Sequence, residues 1–259
     1  MRGELVWCQL FSEPGAGSDL ASLTTRADRC AGGWRLTGQK VWTSLAREAD
    51  WAICLARTDR DVPKHRGLTY FLVDMSSAGI TTRPLREITG DAVFNEVFLD
   101  DVFVPDTDVV GEPGGGWRLA RTTLANERVA LGSGPAAGET VEQLLERINI
   151  ADPAVLERLG ALVAEGSAGS LLDLRAALRR LAGQGPGPES SVRKLFGVRH
   201  RQAAAELALE LCGSAALAVG PDTSAAQHEF LLTRCLGVAG GTTQILLNLI
   251  AERLLGLPR

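Results

Sequence analysis

The first residues whose types could do chemistry lie in a turn over residues 10–19. The sequence there reads Leu-Phe-Ser-Glu-Pro-Gly-Ala-Gly-Ser-Asp. Phe11 and Ser12 are typical of a strand end, whereas Pro14–Gly17 interrupts regular structure and lets a ligand approach the backbone closely. Ser18 adds a short polar group at the edge of the turn. Such a loop could hold a planar, hydrogen-bonding ligand against main chain, although an ordinary surface turn has the same composition.

A second segment, residues 38–44, places a large aromatic side chain beside a hydroxyl group. Apolar and polar residues alternate over Trp34–Thr43, which is typical of a strand with one buried face. We expect a hairpin through Thr37-Gly38 that brings Trp42 and Ser44 to the end of this strand. Trp42 offers a flat apolar wall, and the Ser44 hydroxyl can donate or accept a hydrogen bond. The alternative for the tryptophan is an ordinary place in the core.

Together, these two segments resemble the flavin site of the acyl-CoA dehydrogenases, in which E-P-x-x-G-S-D is followed by G-x-K-x-W-[IT]-[TS]. Three further stretches occur in the order of that family. Phe94–Pro105 resembles the last strands of its middle domain, Gly114–Trp117 the start of its C-terminal helices, and Gly240–Gln244 its E-G-T-x-Q motif. The resemblance implies an α+β multidomain protein that binds FAD. A middle β-barrel domain over residues 1–112 would precede a C-terminal helical bundle over residues 113–259.

The residue pattern also changes near residue 112. Short alternating segments separated by turn residues come first, and this spacing is typical of a β-barrel or a sandwich. Apolar residues at three-to-four spacing follow, which predicts helices. The predicted strands are Leu5–Phe11, Trp34–Thr43, Trp51–Arg57, Thr69–Asp74 and Val93–Leu99, and the predicted helices are Trp117–Leu131, Gly138–Ile148, Pro153–Ala182, Pro188–Cys212, Ser224–Cys235 and Thr242–Leu255.

The resemblance implies that a carboxylate removes the α-proton of an acyl-CoA thioester while a hydride passes from the β-carbon to the flavin. In many members this base is the Glu of E-G-T-x-Q, but this chain has Gly240 there. Isovaleryl- and long-chain-type members carry the base in an L-x-x-E-R motif on the first C-terminal helix, which is similar to Leu124–Arg128. We therefore interpret Glu127 as the base. The alternative is a solvated or ion-paired surface glutamate.

The resemblance further implies which residues would bind flavin. Residues of the first two motifs would hold the edge of the flavin ring, flank its face and place a hydroxyl near its N5 atom. Residues at the start of the last helix would contact the phosphate or adenine side, because free N–H groups at a helix N-terminus favour anions. Thr242 could equally be an ordinary helix cap. The predicted cofactor-binding residues are Phe11, Ser12, Gly17, Ser18, Trp42, Ser44, Thr242 and Gln244.

Three residues would bind the substrate, again by resemblance. Ser18 would meet the pantetheine arm of CoA, and Arg128 would lie near the thioester. The main-chain N–H at Gly240 would donate to the thioester oxygen, where a donor stabilises the enolate-like charge.

Two departures from the family pattern weaken the expected contacts to flavin across a subunit interface. No R-x-x-F-G arginine follows the candidate base, and Glu210 stands where the family prefers Gln. The helical domain that precedes the middle domain in the family is also not represented. We therefore expect a homo-oligomer with substituted contacts, or the catalytic half of an α₂β₂ complex like those of actinobacterial sterol breakdown. A non-catalytic partner subunit, a truncated fragment and a flavoenzyme of other chemistry are the alternatives.

Composition excludes several classes of protein. The net charge of −4 does not favour a nucleic-acid partner, and no apolar run is long enough for a membrane span. The five cysteines and three histidines lack metal-ligand spacing, and His200 is expected on a solvated helix face. We expect a cytoplasmic bacterial protein. The resemblance implies that an electron-transfer flavoprotein accepts its electrons.

Overall fold

The structure, a computed structural model, describes residues 3–132, 141, 144–145, 152–185, 187–221 and 223–258. The chain divides into two compact units, of which the first ends at Thr123 and the second begins at Leu124. No helix within the described ranges is long and apolar enough to cross a membrane.

The first unit is built on one eight-stranded sheet. Its strands pair in the order β6-β7-β3-β2-β4-β5-β8, and β1 pairs with β4 in parallel. Strands β2 and β4 meet only at Arg26 and Arg57, so two half-sheets are joined at one corner. The strands are β1 (Trp7–Leu10), β2 (Arg26–Cys30), β3 (Gly33–Ser44), β4 (Trp51–Arg57), β5 (Leu68–Asp74), β6 (Ile80–Pro84), β7 (Phe94–Pro105) and β8 (Val109–Val110).

The two half-sheets share one hydrophobic core. Alternate side chains along each strand point inward, as the two-residue period of a strand requires. Leu10 and Phe71 come from one half-sheet, and Leu36 and Val97 from the other. The sheet is nevertheless open in the described residues, because β6 and β8 form its two edges. The predicted closure into a barrel is therefore not confirmed.

All five predicted strands are present, but the predicted hairpin through Thr37-Gly38 is wrong. Strand β3 runs straight through these residues, with a β-bulge between Leu36 and Gly38, and the chain reverses earlier, at Ala31-Gly32. Gly38 is required for close approach, since a Cβ atom there would lie 2.7 Å from the Cα atom of Thr25. A glycine that permits packing was thus mistaken for one that permits a turn.

The second unit is helical, and five α-helices are described in or leading into it. They are α1 (Gly116–Gly132), which begins in the first unit, α2 (Pro153–Leu181), α3 (Glu189–Leu211), α4 (Ser224–Leu236) and α5 (Thr243–Arg253). Helix α2 begins as predicted, since the Asp152 carboxylate accepts a hydrogen bond from the Ala154 amide at 2.9 Å and Pro153 follows directly. The predicted helix over 138–148 lies outside the described residues, except at 141 and 144–145.

Helix α3 is the central helix of this unit. Arg201 pairs with Glu229 and Arg234 with Glu206, which joins α3 to α4. Because α2, α4 and α5 all pack against α3, several of its polar side chains are buried. His200 is only 3% exposed, and its ring stacks with that of Phe196. The prediction of a solvated histidine there is therefore wrong.

Candidate functional site

A buried ion pair anchors the glycine-rich loop of the first unit. The side chains of Lys40 and Glu13 are 0% and 4% exposed. The Lys40 Nζ atom donates to Glu13 Oε1 at 2.9 Å and to the carbonyl oxygens of Phe11 and Leu55 at 3.1 and 2.8 Å. These bonds use all the donors of the ammonium group. Lys40 therefore ties the loop to strands β3 and β4.

The Glu13 carboxylate is equally well satisfied. Its Oε2 atom accepts hydrogen bonds from the amide and the hydroxyl of Thr24, at 2.6 and 2.8 Å, and its Oε1 atom accepts one from the Thr25 amide at 2.8 Å. Burial raises the pKa of this carboxyl, but the Lys40 charge and the hydrogen bonds outweigh burial and lower the pKa to about 2. Glu13 is thus a stable anion inside the first unit.

The Glu13–Lys40 pair had no assigned role in the sequence-based prediction, although a signal for it exists. Alternation along β3 puts Lys40 on the same face as Trp34 and Leu36. A lysine on an apolar face needs a carboxylate partner. The glutamate of the preceding motif is the natural candidate.

The backbone of the glycine-rich loop is accessible to a ligand at Gly17 and Ser18. Glu13 and Ala16 exchange two main-chain hydrogen bonds, at 3.1 and 3.0 Å, and the Val41 amide donates to the Ser12 carbonyl at 2.9 Å. Ser12 is therefore held next to the tryptophan motif. Gly17 and Ser18 are exposed, and a Cβ atom on Gly17 would meet nothing within 4 Å. A ligand can reach this backbone.

Trp42 is both exposed and conformationally unusual. Its φ angle is 61°, its exposed fraction is 61%, and its ring lies edge-on to that of Phe94 with the centroids 6.0 Å apart. A left-handed backbone is unfavourable for a bulky side chain, and residues held in it are enriched at functional sites. Here the β-bulge between Lys40 and Thr43 imposes it. Trp42 is therefore not a core residue, which was the alternative considered for it.

Two buried oxygen atoms lie beside this bulge without a hydrogen bond in the described structure, Thr43 Oγ1 and Asn95 Oδ1. Such atoms are rare in folded proteins. An exposed aromatic face, an open glycine backbone and unsatisfied polar atoms together fit a planar, polar ring such as a flavin. Ser44 is exposed at the end of β3, whereas Phe11 is buried with its ring against Tyr70. Phe11 therefore supports the loop from beneath.

A second cluster forms in the helical unit, around Lys194 on α3. Lys194 is 1% exposed, and its Nζ atom donates to the Gly241 carbonyl at 2.6 Å. Burial lowers the pKa of Lys194, the charge of Glu127 opposes this change, and the charge of Arg128 adds to it. Lys194 therefore interacts electrostatically with the predicted base and Arg128 and is hydrogen-bonded to the turn at Gly241.

This turn leads directly into α5. Gly240 and Gly241 have φ angles of 64° and 105°, a conformation that favours glycine. The Thr242 hydroxyl accepts a hydrogen bond from the Ile245 amide at 3.3 Å, so Thr242 is the N-cap of α5. The capping role considered as an alternative is present. Gln244 is exposed in the first turn of the helix.

Glu210, which departs from the family pattern, and Arg193 of the same helix both have local partners. Glu210 forms an ion pair with Arg158 of α2, and this pairing lowers the pKa of the Glu210 carboxyl. Arg193 donates to Asp173 of α2 at 2.8 Å. Glu210 is thus a charge that Arg158 compensates, and Arg193 joins two helices of the same unit.

The described residues contain no cluster that could hold a metal ion. The five cysteines are free. Burial raises the pKa of Cys8 to about 12 and that of Cys54 to about 11, so both are inert, protonated thiols.

Comparison with known proteins agrees with the fold of each unit. The family model "Acyl-CoA dehydrogenase, middle domain" matches residues 8–102, and "Acyl-CoA dehydrogenase, C-terminal domain" matches residues 114–255. The acyl-CoA dehydrogenase FadE34 of Mycobacterium tuberculosis is 62% identical over the whole chain, which spans only 36% of that protein.

Solved structures give the same result. The Tcur3481-Tcur3483 steroid ACAD matches with a TM-score of 0.91 and 29% identity, over 99% of this chain and 69% of that one. The ChsE4-ChsE5 complex from Mycobacterium tuberculosis matches with a TM-score of 0.86 and 30% identity, over 99% of this chain and 70% of that one. Two family models that together cover most of the sequence, and the shared fold, lead to one conclusion: the chain belongs to the acyl-CoA dehydrogenase family.

Proposed function

We propose that this chain is the catalytic part of an FAD-dependent acyl-CoA dehydrogenase and that Glu127 removes the α-proton of the thioester. One observation carries this proposal. Lys194 donates a hydrogen bond to Gly241 and interacts electrostatically with Glu127, so the glutamate lies in the same cluster as the turn where many family members carry their base. FAD is the cofactor of this family, and when bound it accepts the hydride from the β-carbon.

The chemistry requires a base and an oxyanion donor. An α-proton of a thioester is weakly acidic, so a carboxylate must be close to it while donors stabilise the charge on the thioester oxygen. Gly240 has no side chain that could accept the proton, but its main-chain N–H can donate to that oxygen. In many family members one glutamate residue both removes the proton and donates its N–H to the thioester oxygen. Here Glu127 would remove the proton and Gly240 would donate the N–H.

The other predicted residues would supply flavin and CoA contacts from each of the two units. In the first unit, the exposed side chains of Trp42 and Ser44 suit the flavin face and its N5 edge, and Ser12 and Gly17 offer backbone contacts. Phe11 holds this loop, and Ser18 suits the pantetheine arm. In the second unit, Arg128 would contact the CoA thioester, and Thr242 and Gln244 would lie near the flavin phosphate or adenine at the N-terminus of α5.

We also propose that the chain works in an oligomer with a second, related subunit. The names of two solved structures with this fold describe pairs of unlike chains, and one of them is a steroid ACAD. Because the chain spans only part of its relatives, a partner or a further segment is expected to complete the site. A steroid acyl-CoA is the favoured substrate class, a homo-oligomer is the alternative, and an electron-transfer flavoprotein in the cytoplasm would accept the electrons.

The test is exchange of the substrate α-proton with solvent deuterium, measured on the flavin-loaded protein together with its partner. Glu127→Gln should abolish exchange, because the amide cannot accept the proton. The matched control is Glu157→Gln on α2, where the side chain is exposed. Exchange that persists in Glu127→Gln would exclude Glu127 as the base.

A non-catalytic subunit is the second candidate function. Gly240 favours it, because the residue at the family's common base position has no carboxylate. The same exchange measurement on the flavin-loaded protein and on Glu127→Gln distinguishes the two candidate functions. A non-catalytic subunit would bind flavin with its partner but would support exchange equally well with Glu127 or Gln at that position.

A further inference from the structure

Asn95 is a buried amide near the start of β7, and its residue is 1% exposed. Its Nδ2 atom donates to the Thr43 carbonyl at 3.0 Å and to the Val93 carbonyl at 3.2 Å. An amide nitrogen carries two hydrogens, so these bonds use both donors of the side chain. Asn95 therefore joins β3 to the segment that leads into β7.

The bond to β3 lies at a bulge. The ladder between β3 and β7 breaks after Lys40 and resumes at Thr43, which pairs with Asn95. Two residues of β3, Val41 and Trp42, therefore lie opposite a single residue of β7, which is the geometry of a β-bulge. Because a bulge disrupts the ladder locally, its backbone depends on hydrogen bonds from outside the ladder.

Two such bonds enclose Trp42. Before it, the Val41 amide donates to the Ser12 carbonyl at 2.9 Å, and after it, the Thr43 carbonyl accepts from Asn95. The first bond joins two backbone groups, whereas the second depends on a side chain. A residue with a φ angle of 61° persists only where its surroundings determine its conformation. Asn95 supplies one of the two restraints that do so.

Asn95 also restrains the aromatic ring beside Trp42. The Val93 carbonyl accepts from Asn95 and from the Leu45 amide, the latter at 3.3 Å. The next residue is Phe94, whose ring lies edge-on to that of Trp42 with the centroids 6.0 Å apart. The same amide thus holds the backbone of the tryptophan and the segment that carries its neighbouring ring.

Core stability alone does not favour an asparagine at this position. Its Oδ1 atom is buried and has no hydrogen bond in the described structure, which carries a cost that an apolar side chain of similar size would avoid. What the asparagine adds is a pair of donors for the two carbonyls. Residues that depart from a local rule at such a cost are expected at functional sites.

We propose that Asn95 is a positioning residue for flavin binding: through the Thr43 and Val93 carbonyls, it holds the Trp42 indole in the orientation in which it flanks the flavin. This inference rests on the proposed contact between Trp42 and flavin, and Asn95 acts through that tryptophan.

The first test is the affinity for FAD, measured by equilibrium dialysis on the chain with its partner. Asn95→Leu removes both donors and should weaken FAD binding by about tenfold, which corresponds to the loss of one or two ordinary hydrogen bonds. The matched control is Thr69→Val in β5, which removes a buried acceptor of the Gly114 amide at 2.9 Å. It should leave FAD binding unchanged. Equal losses in the two variants would overturn the proposal.

A double-mutant cycle shows whether Asn95 acts through Trp42. Trp42→Ala should weaken FAD binding, and Asn95→Leu added to it should cause no further loss, because no indole is left to orient. Additive losses would contradict the proposal, since they would mean that Asn95 supports the site without Trp42. If Trp42→Ala leaves FAD binding unchanged, the flavin contact of Trp42 and this inference both fail, while the role of Glu127 is tested separately by α-proton exchange.

A second measurement needs no flavin. In protein labelled with 5-fluorotryptophan, the fluorine resonance of Trp42 can be assigned with Trp42→Phe among those of the five tryptophans. Asn95→Leu should shift or broaden this resonance and leave that of Trp34 in place, and Thr69→Val should move neither. An unchanged Trp42 resonance in Asn95→Leu would show that the indole does not depend on Asn95. Should the leucine variant not fold, Asn95→Thr keeps one donor and should give smaller changes in both measurements.

Discussion

The protein buries two lysines, and their surroundings differ. Lys40 in the first unit donates to a carboxylate and two carbonyl oxygens, and its partner Glu13 is almost completely buried. Lys194 in the second unit donates to one carbonyl, and the glutamate that it attracts is half-buried. A saturated pair is suited to hold a loop in place. The less saturated lysine instead holds the turn before α5, in the unit that also carries the proposed base.

The largest expected effect comes from breaking the saturated pair. Lys40→Met leaves the Glu13 carboxylate buried without its cation, which should cost about 3–5 kcal/mol of unfolding free energy. The loop that contains Gly17 would be released, so the flavin content should fall as well. Urea unfolding, followed by tryptophan fluorescence, measures the first effect.

The control for this variant is the double substitution Glu13→Gln, Lys40→Met, which removes both charges. It should recover a large part of the lost stability, because no uncompensated charge stays buried. If the double variant were as unstable as Lys40→Met, the lysine would stabilise the loop through its carbonyl contacts and not through Glu13.

A smaller effect is expected from pH. The pKa of Glu13 is about 2 in the folded protein, whereas its ordinary value of 4.5 applies in the unfolded chain. Since the folded pKa is the lower one, the stabilisation is complete above pH 4.5 and is lost as the pH falls towards about 2. The loss should be on the order of 3 kcal/mol, at 1.36 kcal/mol for each pKa unit.

This pH dependence can be isolated by urea unfolding at a series of acidic pH values. Glu13→Gln should flatten the curve over that range, because the amide does not titrate. A parent and variant with parallel curves would mean that other carboxyls control acid unfolding.

The smallest effect should come from the helix cap beside the Lys194 cluster. Thr242→Ala removes the hydroxyl that accepts from Ile245 and should cost about 1 kcal/mol of stability. Asp152→Ala, which removes the cap of α2, should cost a similar amount and serves as the control. If Thr242 also contacts flavin, only Thr242→Ala will lower the flavin content. Equal flavin content in both variants would limit Thr242 to capping.

Much of the secondary structure was predictable, and the errors have physical causes. Strand β4 has the predicted bounds Trp51–Arg57, because its apolar residues mark it clearly. Strands β2 and β6 were missed because their sequences, RADRC and ITTRP, are polar and short. The hairpin at Gly38 was wrong because a glycine serves turns and close packing equally well. His200 was misplaced because a helix surrounded by other helices buries polar side chains.

The sequence by itself determined the family and the candidate residues, because these depend on residue types and on spacing along the chain. The two flavin motifs, Gly240 in place of the common base and Glu127 in its own motif were all readable in that way. Only the tertiary structure decided that Trp42 is exposed at a bulge, that Lys40 is buried with Glu13, and that Lys194 is buried and bonded to the Gly241 carbonyl. Those contacts join residues far apart in the sequence. Burial in the folded units also lowers the local dielectric constant and so strengthens the interactions between their charges.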